Sequence, residues 1–168
     1  MEFALMPAAS ELSYPEIKVE NNLKDARLLL PSYGGDHSEL TAILTYAFQS
    51  YITYEEKDFS KQLEMIAVVE MRHHELLGKA IYKLGGYPIM GARNYWNGSY
   101  VNYTLDPIKF LKQNIAAEEQ AILNYEKTIL SVDSTDIKLL LERIILDEEL
   151  HIKIFKAMIT AIEGSCAK

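Results

Sequence analysis

Two Glu-x-x-His pairs, one in each half of the sequence, carry the side chains best suited to chemistry. The first is Glu70 with His73, and the second is Glu148 with His151. A spacing of three residues places both members of a pair on one face of a helix. That face is otherwise apolar in each pair, with Leu or Ile recurring every three or four positions. The pattern therefore predicts carboxylate and imidazole groups directed into a helical core.

Two further glutamates complete a repeated polar pattern. Glu39 is followed seven residues later by Tyr46, and Glu118 is followed seven residues later by Tyr125. Helices joined by a short turn run antiparallel, so residues at equal distances from the turn lie at one level. By that rule each glutamate lies level with the glutamate of a neighbouring Glu-x-x-His pair. We therefore expect six ligand-capable side chains to meet in one core: Glu39, Glu70, His73, Glu118, Glu148 and His151.

Buried carboxylates need compensating positive charge. An isolated ion taken out of water is strongly destabilising, so the group is paired or becomes protonated. Four glutamate charges balance two divalent cations, and two neutral imidazoles complete the ligand set. Histidine nitrogen and carboxylate oxygen without thiolate suit iron or manganese better than copper(I) or a closed structural zinc site. We predict two divalent metal ions, Fe or Mn, and the ligand types do not decide between these elements.

Individual polar residues also have simpler interpretations. Asp36-x-x-Glu39 could be a capping box at a helix start, with Asp36 as the N-cap, instead of contributing a ligand. Glu119 and Glu149 fall off the apolar seams, so we expect both to face solvent. His74 also leaves its seam, and we expect it at the surface.

Three residues are candidates to support the ligands rather than to bind metal. Tyr46 and Tyr125 lie on the seams, where they could either pack in the core or donate a hydrogen bond to a ligand carboxylate. Asp147 directly precedes Glu148 and could orient an imidazole on a neighbouring helix, or it could face solvent. The equivalent residue before Glu70 is Val69, so the surroundings of the two pairs differ.

The periodicity predicts an all-α protein, a single domain over residues 1–168. We expect an irregular lead-in over 1–35 with at most one short helix, followed by a four-helix bundle over 36–163. Asp106 and Pro107 mark the start of one helix, and Gly85-Gly86 stop another. The helices form two antiparallel hairpins joined by a long aromatic crossover. We expect the crossover, 87–104, either to cover the side of the bundle or to form an oligomer interface.

Composition excludes several classes of partner. The formal net charge is -7 with scattered basic residues, which disfavours binding to nucleic acid or to an anionic membrane surface. The single cysteine, Cys166, cannot form an intramolecular disulfide, a four-cysteine metal site or an iron-sulfur cluster. No apolar run is long enough to span a bilayer, and the N-terminus lacks the pattern of a signal peptide. We expect a cytoplasmic protein that does not interact with membranes.

The chain resembles the ferritin-like superfamily of di-metal carboxylate proteins from about residue 12 to residue 160. The separation of Glu70 and Glu118 is similar to that in bacterioferritin and rubrerythrin. The stretches LSYPEIKV and YGGDHSELTAILTYAFQSY resemble manganese catalase and related spore-coat proteins. Met71 lies where bacterioferritin has its haem-binding methionine, but EMxH also occurs in rubrerythrin-like sequences, so we do not expect haem.

The resemblance implies a particular use of the six residues. Two of them, Glu70 and Glu148, would bridge the metals. Glu39 and His73 would complete the ligands of one ion. The other ion would be completed by Glu118 and His151.

The resemblance also implies three functional hypotheses. The first is a di-metal oxidoreductase acting on hydrogen peroxide or dioxygen, like manganese catalase or rubrerythrin. One cysteine cannot build a rubredoxin module, so any electron donor would be external. The second is ferroxidase activity on Fe(II) with iron storage, and the third is a structural or spore-coat-type metal-binding protein. In each case we expect a homo-oligomer, a dimer or larger.

Overall fold

The computed structural model describes residues 3–92 and 94–166. Residues 1–2 and 167–168 of the predicted domain, Arg93 of the crossover and the side chain of Cys166 lie outside the described part. Within it the chain is all-α, with one short 3-10 turn at Gly98–Tyr100. The helices are α1 (Leu23–Gly34), α2 (Glu39–Ile52), α3 (Lys57–Lys83), α4 (Pro107–Ser131) and α5 (Thr135–Cys166).

Several helix boundaries follow the predicted stop and start residues. Asp106 caps α4 by accepting a hydrogen bond from the backbone N–H of Lys109, and Pro107 occupies the first helical turn. Helix α3 ends at Lys83, and Gly85 follows with a φ of 84°, which glycine adopts without a steric penalty. These parts of the prediction are confirmed.

The start of α2 differs from the prediction. Its N-cap is Ser38, whose hydroxyl accepts from the N–H of Thr41, whereas Asp36 lies outside the helix. The capping-box interpretation is therefore wrong, and Glu39 is buried instead. The helix ends at Ile52, where the Thr53 hydroxyl turns back and donates to the carbonyls of Gln49 and Ser50.

The lead-in is more helical than expected at one end, and α5 is slightly longer. Asn22 caps α1 by accepting from the N–H of Asp25, and the helix continues through Pro31 to Gly34. Pro31 removes one helical hydrogen bond near the C-terminal end of α1. Helix α5 runs to Cys166, past the predicted end of the bundle at residue 163.

The four long helices form two antiparallel hairpins, α2 with α3 and α4 with α5. Residues 53–56 make the first turn and residues 132–134 the second. Helix α1 packs against α2, α3 and α4. Among the described residues, no helix combines the length and apolar character needed to cross a bilayer.

The apolar core is divided into two clusters. One contains Leu77 and Ile81 of α3 together with Ile144 of α5. The other contains Leu63 and Ile66 of α3 together with Phe155 of α5. On α3 and α5 the Glu-x-x-His pairs fall between these clusters in sequence. Apolar packing therefore lies on both sides of the polar centre along α3 and α5.

The irregular segments cover two sides of the bundle. The lead-in packs on α3 and α5, where its Met6 N–H donates to Gln62 Oε1 at 2.8 Å. The crossover packs on α2, where Trp96 Nε1 donates to Thr41 Oγ1 at 2.9 Å and the Tyr103 ring packs edge-on against Phe48. The first predicted role of the crossover, covering the side of the bundle, is confirmed. Its role in an oligomer interface stays a prediction.

Asp25 is buried and links α1 to the turn between α4 and α5. Its carboxylate accepts from the N–H groups of Asp133 and Ser134 at 2.9–3.1 Å. Asp25→Ala leaves these groups without an acceptor, so we expect the free energy of unfolding to fall by about 2–4 kcal/mol in urea denaturation. Lys24→Ala is the control, since it removes only an exposed ion pair with Asp133 and should cost less than about 1 kcal/mol. Equal losses in both variants would contradict this role.

Candidate metal centre

Six side chains from four helices converge in the centre of the bundle. Glu39 comes from α2, Glu118 from α4, and the two Glu-x-x-His pairs come from α3 and α5; none is more than 4% exposed. They form two overlapping groups whose ligand atoms all lie within 4.8 Å of one another. The first group is Glu39, Glu70, His73 and Glu148, and the second is Glu70, Glu118, Glu148 and His151.

The overlap has the form that the resemblance implied. Glu70 and Glu148 belong to both groups, as expected of residues that bridge two ions. The remaining carboxylate and imidazole of each group would complete the ligand set of one ion. The structure thus brings together all six predicted residues, and their assignment as ligands stays a prediction.

The Nδ1 atom of each imidazole faces three carboxylates. His73 Nδ1 lies 3.2 Å from Glu70 Oε2 and 3.4 Å from a Glu148 oxygen. His151 Nδ1 lies 2.9 Å from Glu70 Oε1 and 3.1 Å from Glu148 Oε2. The glutamate of the facing α2 or α4 helix is the third neighbour, at 3.4 or 3.6 Å. This arrangement directs one nitrogen and several oxygens of each group toward a common point.

The donor set fits two divalent cations. Two carboxylate oxygens in the cluster, Glu39 Oε2 and Glu70 Oε1, are buried and accept no well-aligned hydrogen bond, although an imidazole Nδ1 lies 3.4 and 2.9 Å from them. A buried acceptor without a partner costs free energy that a bound cation would remove. Imidazole and carboxylate ligands suit manganese or iron. The centre is therefore consistent with two metal ions.

Without metal, the cluster holds protons at neutral pH. Burial raises the pKa of Glu70 well above its ordinary value, and the charges of Glu148 and Glu118 add to this effect. Burial and the charge of Glu148 raise the pKa of Glu118 to about 7. Burial disfavours charge on His73 and His151, but the surrounding carboxylates outweigh it and raise the pKa of both imidazoles.

Glu148 is the exception among the clustered carboxylates. Burial disfavours its ionised form, but the charges of His73 and His151 and their hydrogen bonds hold its pKa at about 2. Metal ions bind deprotonated ligands, so metal binding at this centre must displace protons from the other members of the cluster.

Two tyrosines connect α2 and α4 through the outer carboxylates. Tyr46 of α2 donates to Glu118 Oε1 of α4 at 2.6 Å, and Tyr125 of α4 donates to Glu39 Oε1 of α2. Both hydroxyls therefore make the hydrogen bond that was one of the two expectations, and their support of a metal ligand stays a prediction. Burial and the adjacent carboxylates raise the pKa of both phenols, so each remains a donor.

The imidazoles have different partners on their outer nitrogens. His73 Nε2 lies 3.0 Å from Asp147 Oδ2, and His151 Nε2 donates to the backbone carbonyl of Ala8 at 2.9 Å. Asp147 is fully buried, so the solvent-facing interpretation is wrong and the predicted contact with an imidazole is confirmed. Its hydrogen bonds and its pairing with Arg143 hold the pKa of this carboxyl well below its ordinary value, although burial opposes them.

Sequence reasoning missed the residues that hold Asp147. Tyr14 donates its hydroxyl to Asp147 Oδ2 at 2.6 Å, and the Ser10 N–H donates to Oδ1 at 2.7 Å. Arg143 lies one turn before Asp147 on α5, and its Nη1 is 2.8 Å from Oδ2. The i, i+4 spacing of Arg143 and Asp147 was a usable signal. The lead-in offered none, because its contacts have no periodicity.

The residues that lie off the apolar seams differ in their solvent exposure. Glu119 and Glu149 are exposed, as predicted. The surface prediction for His74 holds only in part, since the residue is half-buried: its ring stacks on Tyr33 with centroids 4.1 Å apart, and its Nε2 is buried without a partner. The seam described only the four-helix bundle, whereas α1 covers this side of α3.

A cavity of about 250 Å³ connects the centre to the surface between α2 and α4. All four clustered glutamates line its inner end, together with Tyr46 and Tyr125. Exposed residues at the outer end include Asp36, His37 and Ala117, and Tyr100 and Asn102 of the crossover form part of the wall. A small polar molecule can therefore approach the carboxylates from this side.

The fold and the cluster have counterparts in known proteins. No protein-family model matches the chain. A probable manganese catalase from Clostridium acetobutylicum is 25% identical, over 89% of this chain and 78% of that protein. The crystal structure of a manganese catalase from Anabaena superposes with a TM-score of 0.83 and 27% identity, covering 96% of this chain and 81% of that one. The chain belongs to the ferritin-like superfamily of di-metal carboxylate proteins.

The ferritin-like protein also resembles bacterioferritins in fold. The structure from Rhodobacter capsulatus has a TM-score of 0.74 and 21% identity, covering 87% of this chain and 89% of that one. At this level of identity the likeness concerns the fold alone. The more similar sequences and structures are manganese catalases, which supports a manganese catalase-like di-metal protein at the level of the family.

The protonated cluster predicts how stability depends on pH. Because the pKa values of Glu70 and Glu118 are raised in the folded state, their protonated forms add stability at low pH that is lost as pH rises through about 7. We expect the melting temperature of the metal-free ferritin-like protein to fall between about pH 5 and pH 8, and added Mn²⁺ to prevent the fall.

Circular dichroism melts with and without Mn²⁺ test this expectation. Glu118→Gln should reduce the pH dependence of the metal-free protein. Glu119→Gln, a change of an exposed neighbour, should leave it unaltered. A melting temperature of metal-free protein that rises over the same pH range would contradict the assignment.

Proposed function

We propose that this protein is a catalase-type oxidoreductase that converts hydrogen peroxide to water and dioxygen at a pair of manganese ions. The observation that carries the proposal is the pair of overlapping Glu/His groups at the inner end of a cavity open to the surface. The similarity to manganese catalases supports the choice of substrate and metal. Disproportionation also needs no electron donor, since one peroxide is oxidised while the other is reduced.

The ligand roles follow from the two groups. Glu70 and Glu148 would bridge the ions, because their oxygens are shared by both groups. Glu39 with His73, and Glu118 with His151, would complete the two coordination spheres. When bound, two manganese ions supply the change of oxidation state that lets peroxide be alternately oxidised and reduced.

The protein's own residues position these ligands and control access. Tyr46 and Tyr125 each donate to one oxygen of an outer carboxylate, which fixes its orientation and leaves its second oxygen for the metal. The two hydrogen bonds thereby fix the distance between α2 and α4, the helices on either side of the cavity. The buried Gln49 and Asn114 reinforce this spacing through reciprocal amide hydrogen bonds of 3.0 and 2.7 Å.

Proton transfer in the cavity can be handled by the same carboxylates. The inner end of the cavity is lined by glutamate oxygens, the groups able to accept a proton from an entering peroxide. The buried tyrosines have raised pKa values and serve as fixed donors.

Removal of a bridging residue tests the proposed activity. We expect Glu148→Ala to lower manganese-dependent peroxide removal by more than about 100-fold, the upper end of the loss caused by deleting an outer partner of a metal site. Glu149→Ala is the matched control, because this adjacent glutamate is exposed. Oxygen evolution and elemental analysis of the native protein provide the measurements. Undiminished turnover in metal-free protein would contradict the proposal.

Obstruction of the cavity tests the route of the substrate. Ala117 lines the cavity, whereas Ala116 on the same helix is exposed and does not line it. We expect Ala117→Trp to lower kcat/KM for peroxide several-fold while the manganese content stays unchanged, because the indole would narrow the opening. Ala116→Trp should leave both quantities close to those of the unmodified protein. The same kcat/KM in both variants would exclude this route.

A further inference from the structure

The two imidazoles of the metal centre are supported unequally. The outer nitrogen of His73 meets a carboxylate, Asp147, and that of His151 meets a neutral backbone carbonyl, Ala8. The difference arises from one position in the repeated pattern. Asp147 precedes Glu148 on α5, whereas the equivalent residue before Glu70 on α3 is Val69, which has no acceptor side chain. The pseudo-symmetry of the ligands therefore does not extend to their partners.

Residues 8–14, here called the N-terminal strap, maintain this difference. The strap supplies the carbonyl of Ala8 to His151, and it supplies the Ser10 N–H and the Tyr14 hydroxyl to Asp147. These contacts join segments 133–143 residues apart in sequence. The strap consequently contacts the outer partners of both metal positions at once.

Arg143 fixes the strap against α5. Its Nε donates to the carbonyl of Leu12 at 2.6 Å, and its Nη2 donates to the carbonyl of Ser10 at 3.0 Å. The guanidinium also lies over the Tyr14 ring, 4.3 Å from the centroid, and pairs with Asp147. Asp147 is therefore held by Ser10, Tyr14 and Arg143 in the position where it accepts from His73.

An anionic acceptor and a neutral one have different effects on a metal ligand. A carboxylate that accepts from the outer N–H of an imidazole makes the inner nitrogen more basic and fixes its orientation. A backbone carbonyl fixes the orientation but donates less electron density. Arg143 and Tyr14 share part of the charge of Asp147, which moderates the difference without removing it.

We propose that the two metal positions are inequivalent, and that the position completed by His73 binds a divalent ion more tightly than the position completed by His151. Asp147 is the positioning residue that causes the difference, with Tyr14, Arg143 and the N-terminal strap holding it. This inference rests on the metal centre of the proposed function but not on the turnover of peroxide.

Equilibrium binding of Mn²⁺ to metal-free protein, monitored by calorimetry and by the electron paramagnetic resonance of free Mn²⁺, tests the inference. His151→Gln isolates the position of His73, and His73→Gln isolates the position of His151. We expect the His151→Gln protein to bind its Mn²⁺ more tightly. Equal affinities, or the opposite order, would overturn the inference, and this comparison requires no change in Asp147.

Asp147→Asn then tests the cause in both backgrounds. We expect it to weaken Mn²⁺ binding roughly 10–100-fold in the His151→Gln protein, the range expected for the loss of an outer-sphere partner. In the His73→Gln protein the same change should alter affinity by less than about 3-fold, since Asp147 does not contact His151. Equal losses in both backgrounds, or no loss in either, would overturn the role of Asp147. Far-UV circular dichroism of each variant verifies that the helices remain formed.

The outcomes separate this inference from the proposed function. Unequal binding of two Mn²⁺ ions without any peroxide removal would refute the proposed function and leave the inequivalence intact. Rapid peroxide removal with two positions of equal affinity would refute the inequivalence and leave the proposed function intact.

Discussion

The structure depends on the burial of four carboxylates at one level of a helical bundle. Each charge would be costly alone, and mutual repulsion adds to the cost. The cluster can persist because imidazoles, protons or metal ions compensate the charge, and because each long helix of the bundle contributes at least one member. Apolar clusters on both sides exclude water, which makes compensation by a cation stronger.

The same cluster gives the bundle two unlike sides. Between α2 and α4, tyrosine hydroxyls contact two of the predicted ligands, and a pair of amides joins the helices near the cavity. Across α3 and α5 the lead-in supplies the outer partner of His151, and it holds Asp147 of α5, which is the outer partner of His73. One side therefore admits a small molecule, and the other side supports the ligands from behind. This separation suits a centre that must be both accessible and rigid.

Much of the bundle and the identity of the central residues were predictable from the sequence. Glu70 with His73 and Glu148 with His151 interrupt apolar seams of helical period, and helical periodicity is a local property. The short turns then place Glu39 level with Glu70 and Glu118 level with Glu148. Errors arose where an element outside the four-helix repeat intervened, as when α1 covered His74 with Tyr33. They also arose at the start of α2, where Ser38 and not Asp36 is the N-cap.

The sequence by itself determined which side chains enter the core and at which level they meet, because spacing along a helix fixes the face that a residue occupies. Only the tertiary structure decided how the lead-in contacts Asp147 and His151. The lead-in has no period, and its contacts with Asp147 and His151 cross more than a hundred residues of chain. Such contacts depend on how packed surfaces fit together, so the Ala8 carbonyl behind His151 became visible only in the folded protein, whereas Asp147 was already a candidate in the sequence.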